Sequence, residues 1–372
     1  MKPKVNDIIE LTIDRLTYNG GRGIGRLNNF AIFVQGATAP GDFTQAKIIQ
    51  VKKNHAIAQL VKIIEPSLHR IEPPCEYFKS CGGCQWQHLT YDEQIKQKTE
   101  FILFTLKKLN ITLPVNFLNS DNKYNYRNRI QLNYLNKQLG YFQNYSNSHV
   151  PIKECKIANQ KINGLISNFN PIDQHKRYEF ALTVNGDANY YPVNKKDPHN
   201  LFSQVNNDIN GKLIELVLNE IHPDYDQTIY DAYCGSGNFT YKIKNKAPLA
   251  KVIGIDFSRS NILKTQDNHS NIKFINAKVE NYFRKNPAPH SSLTLLDPPR
   301  AGCDESLFKN ICSEKIIYIS CDLSTFERDA RRLINQGYKM QKITGLDMFP
   351  QTYHLETFSV FIKDEDSTKV NF

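Results

Sequence analysis

The first 65 residues or so alternate apolar and polar positions in short runs, a pattern typical of half-buried β-strands. Turn signals separate the runs at Asn19–Gly25 and Pro40-Gly41. No helical pattern follows the glycine-rich turn, which argues against a dinucleotide loop. The pattern predicts a small all-β barrel of the kind that binds single-stranded RNA, followed by a proline-marked linker. The runs are Ile8–Ile13, Phe30–Val34, Ala46–Val51 and His55–Val61.

The middle of the chain begins with a helical pattern and continues with strands. Apolar residues recur at helical spacing from Leu89 to Leu109. Tyrosines and arginines then alternate over Tyr124–Tyr134, as in a strand that stacks on bases and pairs with phosphates, although half-buried tyrosines beside solvated arginines give the same pattern. Further strands are predicted around Leu139–Phe142 and Phe180–Val184.

After residue 200 helices and strands alternate, which predicts an α/β domain with a largely parallel sheet. An amphipathic helix is predicted over Asn207–Ile221. Because ligands of such sheets bind at the carboxyl ends of the strands, residues at those positions are candidates for a site. The predicted strands are Thr228–Tyr230, Val252–Asp256, Leu293–Leu296, Lys315–Cys321 and Phe358–Ile362.

The charge of the chain is concentrated in its first half. Residues 1–200 carry 26 Lys and Arg against 16 Asp and Glu, whereas residues 201–372 carry 21 of each. The net charge of +10 therefore lies before residue 201, where we expect an RNA partner to be held through its phosphates. No apolar run reaches membrane-spanning length and the first residues lack the core of a secretion signal, so we expect a cytoplasmic protein with no membrane partner.

Three of the eight cysteines are clustered around a short glycine-containing loop, at Cys75, Cys81 and Cys84. Cys155 is the natural candidate for a fourth ligand. Four thiolates suit either a zinc ion or an iron–sulfur cluster, and spacing alone leaves both open. Three buried, unligated thiols are the bland alternative, which Cys-Gly-Gly-Cys disfavours because it exposes its sulfurs.

A glycine-rich turn joins the first predicted strand of the α/β domain to a helix, at Asp231–Thr240. Its Gly-x-Gly lets the backbone approach a ligand, and Asp256 at the end of the next strand can hold two ribose hydroxyls. A third glycine and a Gly-Lys-Ser/Thr are both missing, which disfavours a dinucleotide or a triphosphate. S-adenosylmethionine, which has a ribose and no phosphate, fits better.

Three further residues stand at or beside strand ends. Cys321 ends one strand, Asp297 follows another within Asp297–Arg300, and Glu356 precedes the last. This set predicts a thiol nucleophile, a positioning carboxylate and a carboxylate base around one pocket.

These motifs resemble the RNA uracil-C5 methyltransferases, specifically the iron–sulfur branch with an N-terminal TRAM barrel that includes bacterial 23S rRNA enzymes. The resemblance spans essentially the whole chain, and its motifs are the four cysteines, Leu201–Asn206, Asp231–Thr240, Asp297–Gly302, Ser320–Asp329 and His354–Thr357.

The resemblance implies three domains: a TRAM/OB-like barrel over 1–66, a central β-rich iron–sulfur domain over 67–200, and a Rossmann-like class I methyltransferase domain over 201–372. The helix at 90–110 is expected to pack on the last of these. A probable monomer is implied, as are a 4Fe–4S cluster and an S-adenosylmethionine site. The implied cluster ligands are Cys75, Cys81, Cys84 and Cys155, and the implied donor site is Gln204, Tyr233, Asn238, Asp256 and Asp297.

By the same resemblance Cys321 is the nucleophile and Glu356 the base. A thiolate adding to carbon 6 would make carbon 5 of uracil nucleophilic toward the donor's methyl group, and Glu356 would then accept the carbon-5 proton. Nearby positive or hydrogen-bond-donating groups are expected to lower the pKa of Cys321. The target uridine must leave its stack to be reached.

The chain departs from the family pattern at two points. Asp256 stands where a Glu is expected, and no Pro follows Cys155.

Transfer RNA remains the rival substrate to 23S rRNA. A DNA cytosine-C5 methyltransferase is disfavoured because Ser320 precedes Cys321 where that class has Pro, and an amino-methyltransferase because it needs no cysteine. A non-catalytic RNA-binding factor would be expected to lack part of the catalytic set, whereas Cys321, Asp297 and Glu356 are all present.

Overall fold

The computed structural model describes residues 2–172, 175–183, 185–193, 204–223, 226–259, 262 and 272–364. The chain divides into two compact units. Unit 1 comprises Met1–Phe101, Asn122–Lys195 and Phe349–His354, and unit 2 comprises Ile102–Asp121, Lys196–Met348 and Leu355–Phe372. The predicted barrel and central domain fall together in unit 1. The three-domain division stays a prediction, and its boundary near residue 200 lies outside the described residues.

The N-terminal part of unit 1 is a six-stranded sheet with the order β1-β5-β6-β4-β3-β2. Alternate side chains of its strands, such as Ile32, Val34, Ala56 and Ala58, are fully buried, as the alternating sequence pattern predicts. The strands are β1 (Ile8–Thr12), β2 (Arg15–Leu16), β3 (Gly23–Leu27), β4 (Phe30–Gln35), β5 (Phe43–Val51) and β6 (His55–Glu65).

The second part of unit 1 is a five-stranded antiparallel sheet with the order β10-β9-β8-β11-β12. Its core includes Tyr178 and Phe180, and a short helix contributes Ile162 and Ile166. The elements are β8 (Arg129–Leu135), β9 (Gln138–Phe142), β10 (His149–Pro151), α2 (Gln160–Ser167), β11 (Arg177–Leu182) and β12 (Ala188–Pro192). Val184, which was predicted to end β11, lies outside the described residues.

The strand predicted from Tyr124 is shorter than expected, and the helix predicted before it is present. The strand predicted from Tyr124 begins only at Arg129. Asn125 takes a positive φ of 53°, and Arg127 forms an isolated bridge with Ala158 before the strand starts. The helix predicted over Leu89–Leu109 is confirmed as α1 (Tyr91–Lys108). It belongs to unit 1 up to Phe101 and to unit 2 from Ile102.

Unit 2 contains an eight-stranded sheet with the order β15-β14-β13-β16-β17-β19-β18-β7. The first five strands are parallel, and β19 runs antiparallel between β17 and β18. The order of the parallel strands reverses between β13 and β16, which makes the carboxyl ends of these two strands a switch point where ligands bind. The strands are β7 (Asn116–Leu118), β13 (Thr228–Ala232), β14 (Lys251–Asp256), β15 (Lys273–Asn276), β16 (Ser292–Leu296), β17 (Lys315–Ser320), β18 (Tyr338–Leu346) and β19 (Glu356–Lys363).

Five described helices accompany this sheet, so the mixed α/β prediction is confirmed. The helix that starts beside Cys321 is capped by Asp322, whose carboxylate accepts from the backbone N–H groups of Ser324 at 2.9 Å and Thr325 at 3.0 Å. The helices are α3 (Asn207–Asn219), α4 (Thr240–Lys246), α5 (Val279–Lys285), α6 (Glu305–Phe308) and α7 (Leu323–Asn335). Within the described residues, none of the helices has the length and apolar character of a membrane span.

Candidate active site

Cys321 and Glu356 are brought together by the pairing of β17 with β19. The last paired residues of the two antiparallel strands are Ser320 and Thr357, and the Thr357 hydroxyl donates to the Ser320 carbonyl at 3.3 Å. One step further along each strand are Cys321 and Glu356, which therefore stand opposite each other on one face of the sheet. Cys321 is partly exposed, whereas Glu356 is only 3% exposed.

Burial and nearby acidic side chains raise the pKa of both groups. Burial, followed by the charge of Glu356, raises the pKa of Cys321 to about 12. Burial, followed by the charge of Asp297, raises the pKa of Glu356 well above its ordinary value. The expected lowering of the thiol pKa is therefore absent, because the acidic side chains around Cys321 outweigh the single basic one, Arg300.

Asp297 and Arg300 lie on the loop that follows β16. Burial, followed by the charge of Asp231, raises the pKa of Asp297 to about 7, and the backbone N–H of Asp297 donates to the carbonyl of Ala232 at 3.4 Å. Positive charge on Arg300 opposes the rise in pKa of both Cys321 and Glu356. The predicted trio of Cys321, Asp297 and Glu356 is thus electrostatically connected, and Arg300 favours the ionised forms of Cys321 and Glu356.

The turn between β13 and α4 has the shape of a ligand cradle. Tyr233, Gly235 and Gly237 all take positive φ, at 66°, 55° and 87°. Such a backbone costs a residue other than glycine roughly 1–2 kcal/mol, so Tyr233 must be held in place by its surroundings. At Gly235 a Cβ atom would meet nothing within 4 Å, which leaves open space beside the turn.

Asp256 ends β14 next to this turn. Its carboxylate accepts from the N–H of Gly235 at 3.0 Å and from that of Ser258 at 2.7 Å. The predicted ribose acceptor is therefore tied directly to the glycine-rich turn. Each oxygen keeps a second lone pair for a ligand hydroxyl.

The two remaining predicted donor residues lie at the turn and before α3. Asn238 forms a reciprocal amide pair with Asn210 of α3, with N···O distances of 3.0 and 3.1 Å. Gln204 is partly buried two residues before Asn206, the N-cap of the same helix. The pair places α3 beside the turn. Leu201–Ser203, part of the motif quoted for this region, lie outside the described residues.

Sequence reasoning missed three residues of this site. Asp231 is fully buried in β13; its Oδ2 accepts from Thr240, and its Oδ1 has no hydrogen-bond partner among the described residues. Arg300 acts on both catalytic candidates, as above. Phe257 follows Asp256 and is 72% exposed, which offers a flat apolar face beside the proposed ribose position. A carboxylate inside an apolar strand and an aromatic residue after a strand-end acid were the available signals.

The four predicted metal-binding cysteines meet in unit 1. Cys75, Cys81, Cys84 and Cys155 all line one cavity of about 40 Å³. Burial raises the pKa of the Cys81 thiol to about 11, and the neighbouring cysteines add to the effect. Within the described part of the chain, no three His, Cys, Asp or Glu side chains are arranged to hold a single metal ion.

Comparisons with known proteins show which families the chain matches. Residues 2–61 match the TRAM domain, and residues 172–283 and 289–364 match the family described as tRNA (uracil-5-)-methyltransferase. An uncharacterized RNA methyltransferase of Bdellovibrio bacteriovorus is 33% identical over 96% of this chain and 95% of that protein. The 23S rRNA (uracil(1939)-C(5))-methyltransferase RlmD of Vibrio parahaemolyticus is 28% identical over 94% of this chain and 95% of that protein.

A solved structure is similar over nearly the whole chain. The tRNA (uracil-54, C5)-methyltransferase of Pyrococcus abyssi, in complex with S-adenosyl-L-homocysteine, superposes with a TM-score of 0.70 at 22% identity, covering 95% of this chain and 99% of that one. At this identity the likeness concerns the fold.

The fold and the strand-end site define a Rossmann-like methyltransferase. The chain belongs to the RNA uracil-C5 methyltransferase family and carries the TRAM domain at its N-terminus. It is an S-adenosylmethionine-dependent enzyme that methylates carbon 5 of uracil in RNA.

Proposed function

We propose that the enzyme methylates a uridine of 23S rRNA through a covalent adduct between Cys321 and carbon 6 of the base, with Glu356 as the base that completes the reaction. The observation that carries this proposal is the placement of Cys321 opposite Glu356 across β17 and β19. A nucleophile and a proton acceptor at adjacent positions can act on two adjacent ring carbons. Carbons 5 and 6 of uracil are such a pair.

The reaction begins with transfer of the Cys321 proton to solvent, which the partly exposed side chain can reach. Since the pKa of the free thiol is about 12, the thiolate is scarce at neutral pH until the site changes. Arg300 favours the thiolate, and binding of a sulfonium cation nearby would favour it further. The thiolate then bonds to carbon 6, and the negative charge spreads over carbon 5 and oxygen 4.

Carbon 5 next attacks the methyl group of the donor. The new carbon–carbon bond forms as the bond between methyl and sulfonium sulfur breaks, which leaves S-adenosylhomocysteine. Glu356, whose ionisation Arg300 favours, takes the proton from carbon 5 as the carboxylate. The electron pair of that C–H bond restores the double bond between carbons 5 and 6 and expels the Cys321 thiolate. Asp297 orients the base edge or the donor within the same pocket.

For the donor site we propose Gln204, Tyr233, Asn238, Asp256 and Asp297. The positive-φ turn with open space at Gly235 and the connection of Asp256 to that turn support this placement. A cationic donor also suits the partial negative charge that carboxylates provide along this edge of the sheet. Phe257 would cover one face of the adenine.

We also propose that Cys75, Cys81, Cys84 and Cys155 hold a 4Fe–4S cluster. All four side chains line one cavity, which fits a group bound at several corners. Four thiolates also suit a zinc ion, which is the alternative occupant of this cavity. Methyl transfer needs no electrons, so the proposed role of a cluster is to hold the fold around these cysteines.

The preference for 23S rRNA comes from relatives named RlmD that match nearly the full chain. The excess of positive charge before residue 201 and the TRAM domain suit a large RNA partner in the cytoplasm. Transfer RNA is the second candidate, favoured by the description of the matching family. The target uridine is expected to be flipped out of its stack or already unstacked.

Two measurements test the proposal. Mapping 5-methyluridine in ribosomal and transfer RNA from cells with and without the protein identifies the substrate, and loss of a 23S rRNA position is expected. In vitro, Cys321→Ala should abolish methyl transfer from labelled donor, while Cys312→Ala, an exposed thiol, should retain it. Methylation by the Cys321→Ala protein would reject the mechanism, and a missing methyl group only in transfer RNA would reject the substrate.

A further inference from the structure

The strained residue of the donor turn, Tyr233, is anchored through its hydroxyl. Its backbone takes φ 66°, and its side chain hydrogen-bonds the sulfur of Cys303. Cys303 is 3% exposed and follows the loop that begins with Asp297. The donor turn is therefore joined to the loop that carries Asp297 and Arg300.

The hydrogen bonds continue inward from Cys303. Its thiol donates to the hydroxyl of Tyr318 at 3.8 Å, and that hydroxyl donates to Oδ2 of Asp329 at 2.7 Å. Tyr318 lies on β17, three residues before Cys321, and both Tyr318 and Asp329 are fully buried. Each group in this row gives its one proton to the next, so the row has a fixed direction that ends on a carboxylate.

The carboxylate of Asp329, where the row of hydrogen bonds ends, also accepts hydrogen bonds from two arginines and a backbone N–H. Arg328 donates to it from Nε at 2.8 Å and Nη2 at 3.1 Å, Arg332 from Nη1 at 3.1 Å, and the backbone N–H of Cys303 at 2.8 Å. Gly302 takes φ 73°, and a Cβ atom there would lie 2.5 Å from Oδ2 of Asp329. The carboxylate thus packs directly against the loop after β16.

We infer that Asp329, acting through Tyr318 and Cys303, is a positioning residue that holds Tyr233 in its positive-φ conformation at the proposed donor site. The inference rests on the proposed donor site. Its physical basis is that a positive-φ residue keeps its conformation only when its surroundings fix it. Asp329 lies on α7, the helix that starts after Cys321, so one hydrogen-bonded row links the donor turn, the Asp297 loop and the nucleophile's helix.

The test is donor affinity in the absence of RNA, measured by calorimetry with S-adenosylmethionine. Tyr318→Phe and Cys303→Ala each interrupt the row while keeping the core apolar, and each should weaken donor binding about fivefold, the effect of one hydrogen bond. Asp329→Asn should weaken it at least as much. Glu305→Gln is the control, because Glu305 pairs with Nη2 of Arg332 rather than with the Nη1 that donates to Asp329, and its side chain is 70% exposed; donor affinity should be unchanged.

A double-mutant comparison separates positioning from general destabilisation. Tyr233→Phe removes the first hydroxyl of the row, so adding Tyr318→Phe to it should cause no further loss of donor affinity. Equal donor affinity in Tyr318→Phe and the wild type, with only a lower melting temperature, would overturn the inference, as would fully additive losses. No donor binding by the wild type would instead overturn the proposed function on which the inference rests.

Discussion

Replacement of Asp231 by Asn should make the protein more stable relative to the wild type as the pH rises. Asp231 is inaccessible to solvent, its Oδ1 has no partner among the described residues, and burial raises its pKa from 3.8 to about 7. The folded state thus holds the Asp231 proton more tightly than the unfolded state does. The stabilisation that this more tightly held proton contributes is fully present below pH 3.8 and is lost as the pH rises to about 7.

The size of this pH effect on stability follows from the pKa shift of Asp231. One pKa unit corresponds to about 1.4 kcal/mol, so between pH 5 and pH 8 the wild type loses about 3 kcal/mol of unfolding free energy through Asp231. Asn cannot ionise and avoids this loss. Its other costs, such as a weaker bond to Thr240, do not depend on pH and cancel when the two pH values are compared.

Urea unfolding at pH 5 and pH 8, followed by far-ultraviolet circular dichroism, measures the effect. Tryptophan fluorescence is unsuitable because the single tryptophan, Trp86, lies in unit 1. The difference in unfolding free energy between variant and wild type should move by about 3 kcal/mol toward the variant at pH 8. Asp121→Asn, a matched change at a side chain that is 73% exposed, should show no such movement. A difference for Asp231→Asn that is the same at both pH values would refute the reasoning.

Three further predictions concern the chemistry, the donor turn and the cysteine cavity. Glu356→Gln should lower turnover about 10²–10⁴-fold and accumulate a methylated protein–RNA adduct on denaturing gels, because the carbon-5 proton stays in place; normal turnover would contradict this. Gly237→Ala puts a Cβ atom 2.6 Å from Tyr241 at φ 87° and should weaken donor binding at least about tenfold, whereas Gly211→Ala in α3, where nothing lies within 4 Å, should leave the affinity unchanged. Cys84→Ser should remove bound iron and sulfide from protein purified without air, and Cys312→Ser should not; a wild type without iron would reject the cluster.

The position of Cys321 was predictable from sequence because it closes an apolar, β-branched run, and the carboxyl-edge rule places such a residue at the ligand-binding edge of the sheet. Glu356 opens its strand and reaches the same edge only because β19 is antiparallel to β17. Their exact pairing was not predictable, since it depends on β19 inserting antiparallel next to β17. The effect of Arg300 on both was also hidden, because it depends on the path of the loop after β16.

The protonation of Cys321 shows what pattern reasoning cannot supply. A reactive thiol suggests a lowered pKa, but the pKa depends on how many carboxylates the fold gathers around the sulfur and how deeply it buries them. Asp297 and Glu356 both oppose ionisation of Cys321. Similarly, the alternation of tyrosine and arginine over Tyr124–Tyr134 favoured one long strand, whereas a left-handed residue, Asn125, and a bridge from Arg127 to Ala158 precede the strand that starts at Arg129.

The central claim is that the sulfur of Cys321 bonds to the pyrimidine ring during catalysis. RNA carrying 5-fluorouridine at the target position tests it directly, because the fluorine on carbon 5 cannot leave as a proton does and the adduct persists. With S-adenosylmethionine present, we expect a protein–RNA species stable to denaturation, and mass spectrometry should place the nucleotide on the peptide containing residue 321. Absence of any adduct from a protein that methylates normal RNA, or attachment at another residue, would contradict the account.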